Sequence, residues 1–239
     1  MDIKKIAELA TKGNAHVQVP PYFQAGIFGL DAGLLRQLSS MNARGLDIGC
    51  GNGSLVKYLR EKEVSFEGID SQAPQAEYFI KQNITGMKPM AGAIPKPDNS
   101  YDLVVAFQNI MLNRAFTKGG ILHDPTKREG EAWEIEDHEA RVRTGQFIFY
   151  EGARVVKPGG RFLIYPEAKR IDDLIGRGML SMQGITYHSE DVDEANAKKY
   201  MKWELEKYGL DKDMQREYLG EQYFEDWGLY QRTVVTKSK

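Results

Sequence analysis

Gly45-Leu46-Asp47-Ile48-Gly49-Cys50-Gly51-Asn52-Gly53-Ser54-Leu55 decides how the rest of the chain is read. A short apolar run carries an acid, and glycines then recur at every second position before an amphipathic pattern begins. That order predicts a strand, a tight turn and the start of a helix. Glycines without Cβ atoms let a ligand lie directly on the main chain, so a nucleotide-type cofactor is expected there. A Gly-x-Gly-x-Gly turn alone is weak evidence, because glycine turns occur wherever a strand reverses sharply. Its meaning depends on what surrounds it.

Outward from this stretch, strands and helices alternate. Leu46–Ile48 reads as a buried strand and Ser54–Glu61 as a helix with Leu55, Tyr58 and Leu59 on one face. Val64–Asp70 alternates with period two, Pro74–Asn83 reads as a helix, and Met87–Ala91 as a weak third strand. Tyr101–Phe107 is a strong buried strand. Glu139–Val156 has helical periodicity, Lys157-Pro158-Gly159-Gly160 stops it, and Arg161–Tyr165 is a further strand. Leu229–Thr236 is a β-branched terminal strand. Strands separated by helices of this length imply parallel βαβ units and a sheet covered on both faces. Asn113–Asp137 is polar and glycine-rich, and Arg170–His188 holds two glycine-containing apolar pieces ahead of a helix over Asp191–Tyr208. Residues 1–43 read as a helical lead-in broken at Pro20-Pro21.

Three signals sharpen the glycine turn. Asp70 ends the second strand about 20 residues past the first glycine, where a carboxylate accepts hydrogen bonds from both ribose hydroxyls of an adenosine. Pro95-Lys96-Pro97-Asp98-Asn99-Ser100-Tyr101-Asp102 leads from a proline-rich turn into the buried strand. Val156-Lys157-Pro158-Gly159-Gly160 links a helix to the next strand.

In this order, the segment Arg44–Tyr165 resembles the class I S-adenosylmethionine-dependent methyltransferases. The glycine loop is similar to that family's first motif and Phe66–Asp70 to its acidic second strand. Ala91–Val105 resembles its acid-Ala … Leu-Pro … Phe-Asp-Leu-Val region, and Val156–Gly160 its Lys-Pro-Gly-Gly turn. The resemblance implies an α/β three-layer sandwich with a mostly parallel seven-stranded sheet whose last strand, Leu229–Thr236, is antiparallel. It implies one methyltransferase domain over residues 1–239. A helical N-terminal cap or extension covers 1–43, a cofactor-binding core 44–166, and the C-terminal part of the sheet with substrate-side insertions 167–239.

The cofactor implied is S-adenosylmethionine, leaving as S-adenosylhomocysteine. By the same resemblance Asp47 and the loop Gly49, Cys50 and Gly51 would face its methionine part. Asp70 would hold the ribose, and Ser71 would flank the adenine. The backbone of Ala93 and Ile94 would meet the adenine edge, and Gln108 would line the methyl-donor end. Gly92 departs from the family, which often has an acid there for the adenine amino group, so one cofactor hydrogen bond is missing. A nicotinamide-binding fold would want Gly-x-Gly-x-x-Gly, but position 54 is Ser.

Bulk properties narrow the acceptor. A net charge of −2 and pI near 6.1 make no electrostatic case for nucleic acid. The Asn/Asp-Pro-Pro-Tyr/Phe of amino-group nucleic-acid methylation is absent after strand four, which reads Ala106-Phe107-Gln108-Asn109-Ile110-Met111. Cys50, the one cysteine, sits in the glycine turn, where packing is expected of it rather than redox work or base-C5 chemistry. No segment reads as a signal peptide or membrane span, and one cysteine points to a reducing compartment, so a cytoplasmic protein is expected.

Methyl transfer leans on holding nucleophile and methyl carbon collinear and on excluding water, so a missing triad counts little. His123, beside Asp124, lies where a base could be presented, although a solvated loop is the simpler reading. Glu134 and His138 have helical ligand spacing without further ligands, so no metal is expected. Tyr187-His188 and Tyr22-Phe23 could line a pocket, with packing the simpler role. Lys127–Arg143 reads as a solvated face or a lid. The expectation is an enzyme methylating a small molecule. The alternatives are a cofactor-binding sensor or scaffold without turnover, and a protein or RNA methyltransferase. Neither catalytic residues nor oligomeric state can be read from the chain.

Overall fold

The computed structural model describes residues 19–50, 53–70, 84–86, 94, 96–107, 149–165, 184–207, 220 and 229–238. It begins with α1 (Pro21–Ile27) and α2 (Ala32–Ser40). The proline pair marks where α1 starts, because a proline in the first turn lacks only an N–H that would have had no partner. Asp31 caps α2 by accepting the Leu34 N–H at 2.8 Å.

Next come β1 (Arg44–Ile48), α3 (Ser54–Arg60), β2 (Ser65–Asp70), β3 (Ile84–Gly86) and β4 (Tyr101–Phe107). Residues 149–155 are helical and run into β5 (Val156–Tyr165). The chain continues through β6 (Ile185–Asp191), α4 (Glu194–Lys207) and β7 (Gln231–Lys237).

The strands form one mixed sheet in the order β3-β2-β1-β4-β5-β7-β6. β3, β2, β1, β4 and β5 pair in parallel, whereas β7 runs antiparallel to both β5 and β6. Two apolar clusters lie on the two faces. Leu103, Val105 and Phe107 of β4 join the cluster that contains α1, α3 and α4 residues, and Val104 and Ala106 join the one that contains Phe149 and Ala153. That alternation is the period-two geometry of a strand covered on both sides.

Gly45 lets β1 approach β2 closely, and Gly152 lets the helical stretch 149–155 approach β5. A Cβ on Gly45 would stand 1.9 Å from Phe66 Cε2, and one on Gly152 would stand 2.2 Å from Phe162 Cε1. Both aromatic rings are fully buried.

Several expectations change. The strand beside β2 is Ile84–Gly86, ahead of the expected Met87–Ala91, a stretch outside the described residues. The helix before β5 ends at residue 155, so Val156 is strand. The Lys157–Gly160 turn lies inside β5 as a bulge: Tyr101 pairs with Val156 but Leu103 with Arg161. Arg170–His188 was read without a strand, yet β6 begins at Ile185. β6 is the sheet's edge and mostly exposed, so it carries no alternation of apolar and polar residues to detect. The following helix starts at Glu194 rather than Asp191, with the Asp193 carboxylate accepting the Asn196 N–H at 2.8 Å.

Candidate functional site

In the order β2-β1-β4 the sequence of strands reverses between β1 and β4. Two parallel strands whose connections leave in opposite directions open a crevice at their carboxyl ends, where ligands of such sheets bind. The glycine turn leaves β1 at that crevice. Gly49 and Gly53 have φ of +71° and +77°, left-handed values that a side chain would strain.

The turn is fastened to the neighbouring strand. Gly49 and Cys50 both donate their N–H groups to the Ile69 carbonyl, at 2.7 and 3.1 Å, and Gly53 donates to the Cys50 carbonyl at 2.9 Å. Cys50 packs against β2, for a Cβ on Gly68 would meet its Sγ at 2.6 Å. This agrees with the packing role expected for the thiol. Asp47 is 3% exposed and lies on β1 opposite Gly68. Asp70, the last residue of β2, is opposite Gly86 and one step beyond the Ile48–Ile69 pair. Two acids therefore end adjacent strands beside a turn whose N–H groups at 49 and 50 are already committed.

That donor and acceptor balance discriminates between ligands. A pyrophosphate wants free N–H groups and no carboxylates. Ribose hydroxyls and an ammonium want acceptors, and carboxylates and carbonyls supply them. A carboxylate at the end of β2 supplies the kind of acceptor that a ribose requires.

A family model described as a methyltransferase domain matches residues 46–118, which span β1 through the end of β4. Over that segment the chain matches a methyltransferase domain, in agreement with the resemblance read from its motifs. No curated protein matches the chain in sequence. Among solved structures it is similar to a TehB-like SAM-dependent methyltransferase from Corynebacterium glutamicum, with 17% identity over 99% of this chain and 95% of that one and a TM-score of 0.42. It is also similar to a SAM-dependent methyltransferase from Geobacter sulfurreducens solved with S-adenosyl-L-homocysteine. There the identity is 18% over 98% of this chain and 96% of that one, with a TM-score of 0.33.

The remaining sequence signals meet one another in space. Asp102, from the Tyr-Asp-Leu-Val strand, accepts Lys157 Nζ of the Lys-Pro-Gly-Gly turn at 2.8 and 2.9 Å and the Arg44 N–H at 2.8 Å. Burial alone would push its carboxyl up, but Lys157 and that N–H hold it below the usual aspartate range. A Cβ on Gly160 would stand 2.8 Å from the Asp102 carbonyl, so the turn's last glycine permits this contact. Glu67 is similarly surrounded by Lys96, by Arg44 at 2.8 Å and by the Tyr101 hydroxyl at 3.3 Å. Its carboxyl too is lowered against the effect of burial, by Lys96 and then Arg44.

Of the residues expected at the cofactor, the structure brings Asp47, Gly49, Cys50 and the backbone of Asp70 to the crevice. At Ile94 the side chain is buried, the N–H donates to Glu151 and the carbonyl accepts from Arg154 at 2.9 Å. Gly51, Ser71, Ala93 and Gln108 lie outside the described residues, as do His123, Glu134 and His138. Tyr187 and His188 are exposed on β6, where His188 Nε2 lies 3.3 Å from Glu190. No group of metal-ligating side chains occurs among the described residues, and none of the described helices is long and apolar enough to cross a membrane.

Sequence reasoning overlooked an aromatic cluster at the carboxyl ends of β4 and β5. Phe107 and Tyr165 stack at 5.3 Å between ring centroids, with Tyr200 of α4 and Phe28 after α1 set edge-on to Phe107 at 5.3 and 5.8 Å. Phe23 of α1 packs against Tyr200 and Trp203 at 6.3 and 6.2 Å, while neighbouring Tyr22 stays exposed. The signal was an aromatic as the last residue of both β4 and β5.

Proposed function

We propose that this chain is an S-adenosylmethionine-dependent methyltransferase that alkylates a small-molecule acceptor, held between the aromatic cluster and the sulfonium end of the cofactor. The carrying observation is that α1 and α4 bring aromatic rings over the carboxyl ends of β4 and β5, beside the crevice. An apolar roof of this kind excludes water from a displacement that needs little else. It suits a compact acceptor better than the extended polar groove that an RNA would require.

In this proposal residues 1–239 act as one domain, with 1–43 as cap, 44–166 as cofactor core and 167–239 completing a three-layer, seven-stranded fold. Asp70 accepts both ribose hydroxyls, and Asp47 with the carbonyls of the glycine turn receives the methionine ammonium. The bound cofactor supplies an electrophilic methyl group on a good leaving group. The chain contributes orientation and a dry surface, and a base is needed only for a protonated nucleophile.

Calorimetry with S-adenosylmethionine and S-adenosylhomocysteine tests the cofactor seat. Binding by the wild type, weakened about 10- to 100-fold in Asp70→Ala, is expected from loss of charge-assisted hydrogen bonds. Wild-type protein that binds neither compound overturns the assignment of these residues. Release of S-adenosylhomocysteine with a panel of small amines, alcohols and acids then tests the acceptor class. Turnover on folded protein or RNA with none on the panel would refute a small acceptor.

A further inference from the structure

Gln24 lies in the middle of α1, and its amide oxygen is closed off from solvent without a hydrogen-bond partner among the described residues. A buried acceptor left in this state costs stability, because water bonds it in the unfolded chain. Its place in the fold gives the cost a reason. At the start of the run, the Val19 carbonyl accepts the Ser54 hydroxyl at 3.3 Å, immediately after the glycine turn. At its end, Phe28 sets its ring edge-on to Phe107, the last residue of β4. Residues 19–28 therefore cross from the turn that leaves β1 to the carboxyl end of β4, the two sides of the crevice.

Helix spacing gives the direction of the side chain. Gln24 and Phe28 are four apart, and the Phe28 N–H still bonds the Gln24 carbonyl at 2.9 Å, so both leave α1 on one face. Tyr22, two residues back and about 200° round the helix, is exposed. The unpaired oxygen is thus on the side turned toward the strand ends. A packing role there would be filled as well by methionine or leucine, which bury without that cost. Access requires the start of α1 to lift from Ser54, whose 3.3 Å bond is long for a hydroxyl donor.

We propose that the Gln24 amide oxygen binds the methyl acceptor, taking a hydrogen bond from an N–H of an amine. This rests on the reading above, that a small molecule is alkylated beneath α1. An amide oxygen suits an amine. It takes an N–H without favouring the ammonium, as a carboxylate would, so the nitrogen keeps its lone pair. It is also too weak a base to remove the proton of an alcohol. The amine's lone pair forms the new N–C bond while the methyl carbon's bond to sulfur breaks, its electron pair going to sulfur. The alkylated nitrogen then releases its proton to water.

Gln24→Met, similar in shape but without the amide oxygen, tests this against matched primary, secondary and tertiary amines. Release of S-adenosylhomocysteine is expected with the first two, which carry an N–H. Their kcat/KM should fall about tenfold in Gln24→Met, the worth of one well-placed hydrogen bond. Affinity for S-adenosylhomocysteine, read by calorimetry, should not change. The melting temperature should equal or exceed that of the wild type, because the substitution removes an unpaired buried acceptor.

Amine turnover that Gln24→Met leaves unchanged overturns the contact, as does equal turnover of the tertiary amines. A lowered melting temperature would mean that the oxygen is already bonded within the fold, and a weakened cofactor that it serves the cofactor instead; either overturns the role. Wild-type protein that methylates small alcohols or acids but no amine overturns this inference and leaves the small-molecule reading intact. A wild type that binds no cofactor overturns that reading and, with it, this one.

Discussion

The carboxyl ends of β1 and β2 and the segment 94–102 both carry motif residues, yet they are built on opposite terms. At the strand ends acids stand beside a glycine turn, and the backbone is kept bare. Around 94–102 the acids are matched with cations: Glu67 with Lys96 and Arg44, Asp102 with Lys157, Glu151 with Arg154. The second region thus spends its acids on cations within the chain, and its motif residues hold neighbouring strands together.

Substitutions can break this division, beginning with the strongest. Gly45→Ala should cost about 3 kcal/mol of stability, because its Cβ would enter the buried Phe66 ring and a packed core yields little. Urea unfolding reads it, and an unshifted midpoint would mean that β1 and β2 are less tightly apposed than described. Asp70→Ala is the contrasting case, with a loss of about 2 kcal/mol confined to cofactor binding and a melting temperature close to wild type. A large drop in melting temperature would place Asp70 among the structural residues instead.

Asp102→Asn should be milder, about 1 kcal/mol or less, since its ion pair with Lys157 is partly open to water. Cofactor affinity should hardly move. The smallest effect is in the pH dependence. Asp102 and Glu67 have folded-state values held below those of an unfolded chain. Their contribution is thus complete above about pH 4 and disappears as pH falls through the folded values. The stability gap between wild type and Asp102→Asn should accordingly hold above about pH 4 and narrow as the pH falls below it. A gap that widens on acidification would contradict the pairing.

Much of this was legible in the chain, for identifiable reasons. β4 announced itself because both its faces are covered, which leaves an unbroken apolar run. β7 kept its β-branched core at Thr233, Val234 and Val235. β6 did not show, since an edge exposed to water puts no constraint on which residues alternate. At the site, Asp47, Gly49 and Asp70 could be placed because strand ends fix backbone position. The Glu151–Arg154 pair was hidden because periodicity was sought in apolar residues alone. The usable signal was an acid and an arginine three apart in a helical stretch whose buried residues include Phe149, Ala153 and Val155. The aromatic cluster joins residues from Phe23 to Trp203, and no local pattern reports a contact across that separation.

One consequence follows from where β7 sits. It lies between β5 and β6, although the ribosome makes it after both. While residues 231–237 are still unmade, the flank of β5 has no neighbour and β6 has nothing to pair with. Arg232, which reaches the Ile27 carbonyl at 3.0 Å and Glu190 at 2.8 Å, then joins α1 to the far edge in the same step. Synthesis from one end thus meets a sheet that closes from the middle, and an interrupted chain would expose its stickiest edge at the moment of release.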